Sequence, residues 1–275
     1  MPATLDDAML RIRPRLTLFL ILSIAWTYAC SATIPDTVFL ERLTWTEVKS
    51  RIAQGSTTII LPTGGTEQNG PHMALGKHNV IVEYAAEQIA RRLGNALVAP
   101  VLAYVPEGEV DPPSGHMRFP GTITLPEPHF KKVIEFAARS FRASGFKDIV
   151  LLGDSGGNWN GLRTVAHMLN KEWAGQGVRV HYIDQFNRGA KFQKWLRQKG
   201  ETNKSIGTHA GIMDTSALLA VDPSMVRMGK RSPSDDFWQT GVQGDPTRAS
   251  AEYGRAGLKM QIDGAVEQIK RLTAR

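Results

Sequence analysis

Short apolar runs alternate along the chain with stretches whose apolar residues recur every three or four positions. The runs at 57–62 (TTIILP), 96–102 (ALVAPVL), 147–153 (KDIVLLG) and 178–184 (VRVHYID) are brief and rich in leucine or β-branched residues. They predict buried strands. Between them, residues 79–93 put Ile81, Ala85 and Ile89 on one helical face, and 127–144 and 162–173 also read as helices. A closing helix carries Leu258, Ile262, Val266, Ile269 and Leu272. Residues 44–55 open on Thr44 with Glu47 three positions later, the pattern of a capping box. Residues 104–120 follow neither period and predict a long loop. Strands alternating with amphipathic helices predict an α/β domain with a mainly parallel sheet covered on both faces. No repeat and no linker divides residues 33–275, so one domain is expected there.

The first thirty residues have a different pattern. Arg11, Arg13 and Arg15 precede an apolar run at 16–26, and small residues follow it. That order matches a secretory signal. The run is shorter than the about 20 residues of a transmembrane helix, and an uncleaved anchor is the competing reading. Cleavage after Ala32 would make residues 1–32 the signal and leave a soluble periplasmic protein. Ala29-Cys30 also resembles the end of a lipobox, although Thr27 and Tyr28 fit that pattern poorly. On that reading Cys30 carries a lipid anchor. Membrane contact is expected only through this segment.

Composition narrows the classes further. Hydrophobic residues make up 42% and charged residues 21% of the 275, which is ordinary globular composition. A chain this long buries roughly three quarters of its unfolded surface and needs neither disulfide nor metal merely to fold. Its single cysteine excludes an intramolecular disulfide and a zinc site with several cysteines. The net charge of +7 raises nucleic acid as a partner. The basic residues are dispersed, however, and no nucleic-acid-binding motif accompanies them. Arg188, Lys191, Lys194 and Arg197, beside Trp195, read as a solvated helix face.

In parallel α/β sheets ligands sit at the carboxyl ends of the strands. Two polar, glycine-rich loops are expected there: PTGGTEQNGPHMALGKHN from Pro62, and GDSGGNWN from Gly153. The first holds Glu67, Asn69, His72 and His78; the second holds Asp154, Ser155 and Asn158. A third cluster, 208–216 (THAGIMDTS), adds His209 and Asp214. Converging, these loops would make a site rich in carboxylate and imidazole. GDSGG is also a G-x-S-x-G sequence between a strand and a helix, the setting of a nucleophile elbow. Glu107, Glu109 and Asp111 read as a solvated acidic loop. Trp159 and Trp173 each read as core or lid, Trp159 being the better lid candidate.

PTGGTEQNGPH, SGHMRFPGTITL, GDSGGN and HAGIMDTS together resemble the creatininase (creatinine amidohydrolase) family in order and spacing. The resemblance implies a three-layer α/β/α fold and usually a hexamer. It also implies a pair of divalent metal ions whose shared water attacks a cyclic amide or related C–N bond. Glu67 and His72 agree with the family pattern. The usual ligand histidines are replaced by Asn69 and Ser155, the metal-bridging aspartate by His78, and two acidic positions of the last block read Ile212 and Asp214. A dinuclear site is therefore not expected, because a neutral imidazole cannot bridge two cations as a carboxylate does.

Three functional readings stay open. The leading one is an amide or cyclic-amide hydrolase of a small molecule, with one divalent ion (Zn or Mn) on Glu67 and His78, aided by Asn69 or Asp154. Water is then the nucleophile, and His209 passes the proton to the leaving nitrogen. The second is a metal-independent serine hydrolase with Ser155 as nucleophile, a nearby histidine as base, and Glu67 or Asp214 orienting it. The third is an inactive member that binds a small ligand. Glu67, His72, Ser155 and His209 are the catalytic candidates, and His116, Asn158, Trp159 and Asp214 the substrate-binding ones.

Overall fold

A computed structural model describes residues 34–186 and 189–274. The expected signal segment, Cys30 and both expected cleavage points lie outside the described residues, as does Arg188.

The first helix, α1 (Trp45–Ala53), starts where the capping box places it. The Thr44 hydroxyl accepts from the Glu47 amide at 3.4 Å, and the Glu47 carboxylate accepts from the Thr44 amide at 2.7 Å. The chain then forms β1 (Thr58–Thr63), α2 (Lys77–Leu93), β2 (Ala96–Val98), α3 (Glu127–Ser144), β3 (Asp148–Gly153), α4 (Trp159–Glu172) and β4 (Arg179–Tyr182). It continues through α5 (Ala190–Gln198), α6 (Asn203–Ile206), α7 (Ile212–Val221), α8 (Phe237–Thr240) and α9 (Ala251–Thr273).

The four strands pair in the order β2-β1-β3-β4, all parallel, with Ile59 opposite both Leu97 and Ile149. Successive strand residues point to opposite faces, so each strand feeds two cores. Ile60, Val150 and Leu152 pack with α2 and α9, whereas Ile59, Leu61, Ile149 and Leu151 pack with α3 and α4. The result is the expected three-layer α/β/α arrangement. The chain steps from β1 outward to β2, then returns past β1 to build β3. The carboxyl ends of β1 and β3 therefore flank the point where strand order reverses, the place such sheets use for ligands.

Three boundaries differ from the sequence pattern. β2 stops at Val98, two residues before Pro100, which has no amide hydrogen to extend a ladder. α2 and α4 start earlier than their apolar stripes, so His78 and Trp159 belong to first helical turns rather than loops. The cluster at 208–216 is a loop only to Gly211; Asp214 lies in the first turn of α7. That helix is apolar on most sides because it is wedged between α2 and α9, and it shows no one-sided stripe. Its approach to α9 is close enough that a Cβ on Gly254 would overlap the Ser216 carbonyl. Among the described residues no helix is long and apolar enough to cross a membrane.

Candidate active site

A cavity of about 500 Å³ opens at the carboxyl ends of β1 and β3. The loop after β1 and the start of α2 contribute Glu67, Lys77 and His78. The 104–120 loop contributes Glu107 and His116, and the β3–α4 connection contributes Asp154, Ser155 and Trp159. His209 enters from the loop before α7, and Asp214 from the first turn of that helix.

Glu67 is the hub. Its side chain is 3% exposed, with Oε1 2.8 Å from His78 Nε2 and Oε2 3.3 Å from His116 Nε2. The other ring nitrogen of His78, Nδ1, lies 2.6 Å from Asp154 Oδ2. A neutral imidazole has a single N–H, so a ring with a carboxylate on each nitrogen is held as the imidazolium. Burial and the Lys77 charge oppose that state, but Glu67 and Asp154 outweigh them and push the His78 pKa up to about 9. Burial alone would raise Glu67. The charge and hydrogen bond of His78, the hydrogen bond from Glu107 and the Lys77 charge hold it well below the carboxylate range instead.

Glu107 takes the opposite course. Burial, the hydrogen bond to Glu67 and the Glu67 charge push it up to about 10, so it is a neutral acid at neutral pH. Its Oε1 is buried without a hydrogen-bond partner. Two adjacent carboxyl groups with divergent pKa values are the usual arrangement of acid and base in one site.

Lys77 is 1% exposed, and its Nζ lies 3.2 Å from Asp214 Oδ1. Burial penalises its charge, yet Asp214, Glu67 and Asp154 raise its pKa. Asp214 also accepts from the Ala210 amide at 2.8 Å. Despite burial, Lys77 and the neighbouring histidines bring the Asp214 pKa down to about 2.

His116 and His209 are neutral: burial lowers both, His209 to about 4. The Gln68 side-chain nitrogen lies 3.2 Å from His116 Nδ1 and 3.1 Å from His209 Nε2. One ligand atom from each of Glu67, His116 and His209 falls within 4.8 Å of the others. An ionised carboxylate with two neutral imidazoles is a donor set for one Zn or Mn ion. His78, with a carboxylate on each ring nitrogen, is not part of this set.

The structure thus assembles a different metal-competent set from the sequence-based one. Glu67 belongs to both. His78 and Asp154 line the cavity but are bonded to each other. Asn69 is fully buried outside the cavity, its side-chain nitrogen donating to the Glu67 carbonyl at 2.9 Å. His72 also lies outside the cavity; its Nε2 is 2.9 Å from the Thr215 hydroxyl, and burial lowers its pKa to about 4. Its geometry ties the first loop to α7 rather than facing a substrate.

Ser155 lines the cavity, but its backbone is relaxed (φ −73°, ψ 140°) rather than strained as in a nucleophile elbow. It lies beside Glu107 in the cavity wall. Asn158 is fully buried and spends its side-chain nitrogen on Gly64 O at 2.8 Å and the Thr63 hydroxyl at 3.0 Å. It joins the two loops and does not reach the cavity. Trp159 is half-buried in the wall, whereas Trp173 is core.

Sequence reasoning did not assign Lys77, Glu107 or Gln68 to the site. For Lys77 a signal existed: it falls on the i,i+4 row of Ile81, Ala85 and Ile89, the buried stripe of α2. Glu107 was read as solvated, and nothing local in its loop marks it as buried.

The fold and cavity define a hydrolase-like α/β protein, with acid, base and metal-competent groups at one sheet edge. The chain belongs to the creatininase (creatinine amidohydrolase) family, whose model matches residues 41–269. It is 28% identical over 248 residues to the mycofactocin precursor peptide peptidase of Mycobacterium tuberculosis, covering 81% of this chain and 88% of the relative. It is 27% identical over 254 residues to the creatinine amidohydrolase of Pseudomonas putida, covering 85% of this chain and 96% of the relative. A solved structure named creatininase Mn matches with a TM-score of 0.71 at 25% identity, covering 87% of this chain and 100% of that one.

Proposed function

We propose that the protein hydrolyses the C–N bond of an amide or cyclic amide in a small molecule, using one divalent ion, Zn or Mn, held by Glu67, His116 and His209. The observation that carries this reading is the meeting of those three donors beside a carboxyl group, Glu107, that keeps its proton at neutral pH. When bound, such an ion polarises a carbonyl and lowers the pKa of water.

The protein groups supply the rest. His78 fixes the Glu67 carboxylate by holding one of its oxygens. Lys77 spends one of its three N–H groups on Asp214 and adds positive charge to the cavity. That charge favours a carbonyl oxygen as it becomes negative. Glu107 is the proton donor to the leaving nitrogen, which departs as an amine only if it gains a proton. His209, engaged with the ion, is not assigned that step. Ser155, whose backbone is relaxed, is not assigned the attack. The cavity is within the size range of small-molecule sites, and the relatives named above for creatinine amidohydrolase and peptide peptidase activity both support an amide substrate.

A panel of cyclic amides, acyl amines and short peptides, assayed with Zn or Mn, tests this. Turnover should vanish on exhaustive chelation and on Glu107→Gln, while Ser155→Ala should be mild. Turnover that survives chelation would contradict the proposal. Tight ligand binding without turnover of any amide would favour the binding-protein reading. Export through the N-terminal segment and assembly into a homo-oligomer are part of the same proposal. Cell fractionation and light scattering check them, and a strict monomer would remove the assembly.

A further inference from the structure

The short helix α8 carries two adjacent aromatic residues that the proposed chemistry does not use. Phe237 is half-buried, and its ring stands nearly perpendicular to both imidazoles of the metal-competent set. Its ring centroid is 5.3 Å from that of His116, at 87°, and 5.3 Å from that of His209, at 80°. The two imidazoles are themselves 4.8 Å apart. Trp238 is exposed, and the Arg118 guanidinium carbon sits 4.6 Å from its ring centroid. Arg118 belongs to the same turn as His116, the 3₁₀ helix Gly115–Arg118.

The far end of the segment grips the second histidine through the backbone. The Gln243 amide donates to the His209 carbonyl at 2.9 Å, and the His209 amide to the Gln243 carbonyl at 3.3 Å. Gly241 ends α8 in the left-handed region at φ +70°. A Cβ there would collide with the Gln68 side chain, whose nitrogen touches both imidazoles. Residues 234–244 therefore hold His116 through ring and turn, and His209 through ring and backbone.

We infer that Phe237 is a positioning residue that sets the two imidazoles for ion binding, with Trp238 anchoring it to the turn of His116. The inference rests on the reading of Glu67, His116 and His209 as an ion-holding group. An imidazole that must be ordered when the ion arrives weakens binding; one ordered beforehand by a neighbour does not. Near-perpendicular packing of rings at this separation is a favoured aromatic arrangement. An ordinary packing contact would instead affect stability alone.

The test titrates Zn²⁺ against a competing chromophoric chelator in the wild type, Phe237→Ala, Phe237→Tyr and Glu67→Gln, with circular dichroism confirming the fold. Imidazole NMR signals are recorded without metal in the same proteins. Phe237→Ala should weaken Zn²⁺ binding on the order of tenfold, as loss of a contact that orients a metal ligand does. It should also broaden or double the His116 and His209 signals, and Phe237→Tyr should restore both readouts. Unchanged affinity with sharp imidazole signals in Phe237→Ala would overturn the inference and leave the ion reading intact. A wild type that binds no Zn²⁺, or that binds it unchanged in Glu67→Gln, would overturn both. If Phe237→Ala does not fold, Phe237→Leu keeps the bulk without the ring edge and gives the same contrast.

Discussion

Glu107 costs the folded protein stability at neutral pH. Folded, it keeps its proton up to about pH 10; unfolded, it releases it near 4.5, as an ordinary glutamate does. A raised acid contributes stability fully present below its unfolded pKa and lost as pH rises towards the folded one. Glu107→Gln keeps the shape without the acidic proton, and should raise stability at pH 7 by about 3 kcal/mol while removing activity. Paired urea titrations and assays check this; an inactive variant that is also less stable would contradict the assigned role. His78 has the same sign. Its contribution is complete below 6.5 and lost as pH rises through about 9. His72 and His209, lowered to about 4, lose theirs as pH falls from 6.5. Stability should therefore peak near pH 6.5, and His78→Gln should cost about 3 kcal/mol at pH 6 and little at pH 10. A His78→Gln penalty that does not change with pH would contradict the imidazolium. At this scale the sequence showed which loops converge, since Glu67, His78, Asp154, Ser155, His209 and Asp214 all line one cavity. It did not show which side chains meet, because ring orientation and the burial of Glu107 arise from contacts across distant segments.

Elements with a local cause were legible, and those made by tertiary packing were not. The Thr44–Glu47 capping box lies within four residues, so the start of α1 is written in its own sequence. The strands were found as apolar runs because both faces of the sheet are covered. α7 escaped because burial between two helices removes the polar face that periodicity detects. Two substitutions separate these cases. Thr44→Ala should cost about 1 kcal/mol, the value of one N-cap, and leave the cavity intact. Gly254→Ala places a methyl group against the Ser216 carbonyl in a closed helix contact, and should cost about 3 kcal/mol. Because Ser216 lies two residues beyond Asp214, it should also disturb the Lys77 pair. Thermal melts of both variants decide; equal small losses would show that α9 can shift away from α7 freely.

The chain keeps the creatininase-family frame across residues 41–269, with a cationic imidazole where the family pattern has a bridging carboxylate. Lys77 and His78 bring positive charge into the cavity beside Glu67, Asp154 and Asp214. The proposal of one ion rather than two rests on this exchange, since a protonated imidazole cannot ligate a cation. The four blocks that carry the family resemblance made the fold legible from sequence, and the changed positions within them made the altered site legible as a departure. The meeting of His116 with Glu67 and His209 was not, since His116 sits in a loop whose path only the fold determines. Elemental analysis of the protein after saturation with Zn or Mn and removal of free metal, run beside Glu67→Gln, tests the central claim most directly. The account predicts one ion per chain in the wild type and none in the variant. Two ions per chain, or one that survives Glu67→Gln, would contradict it.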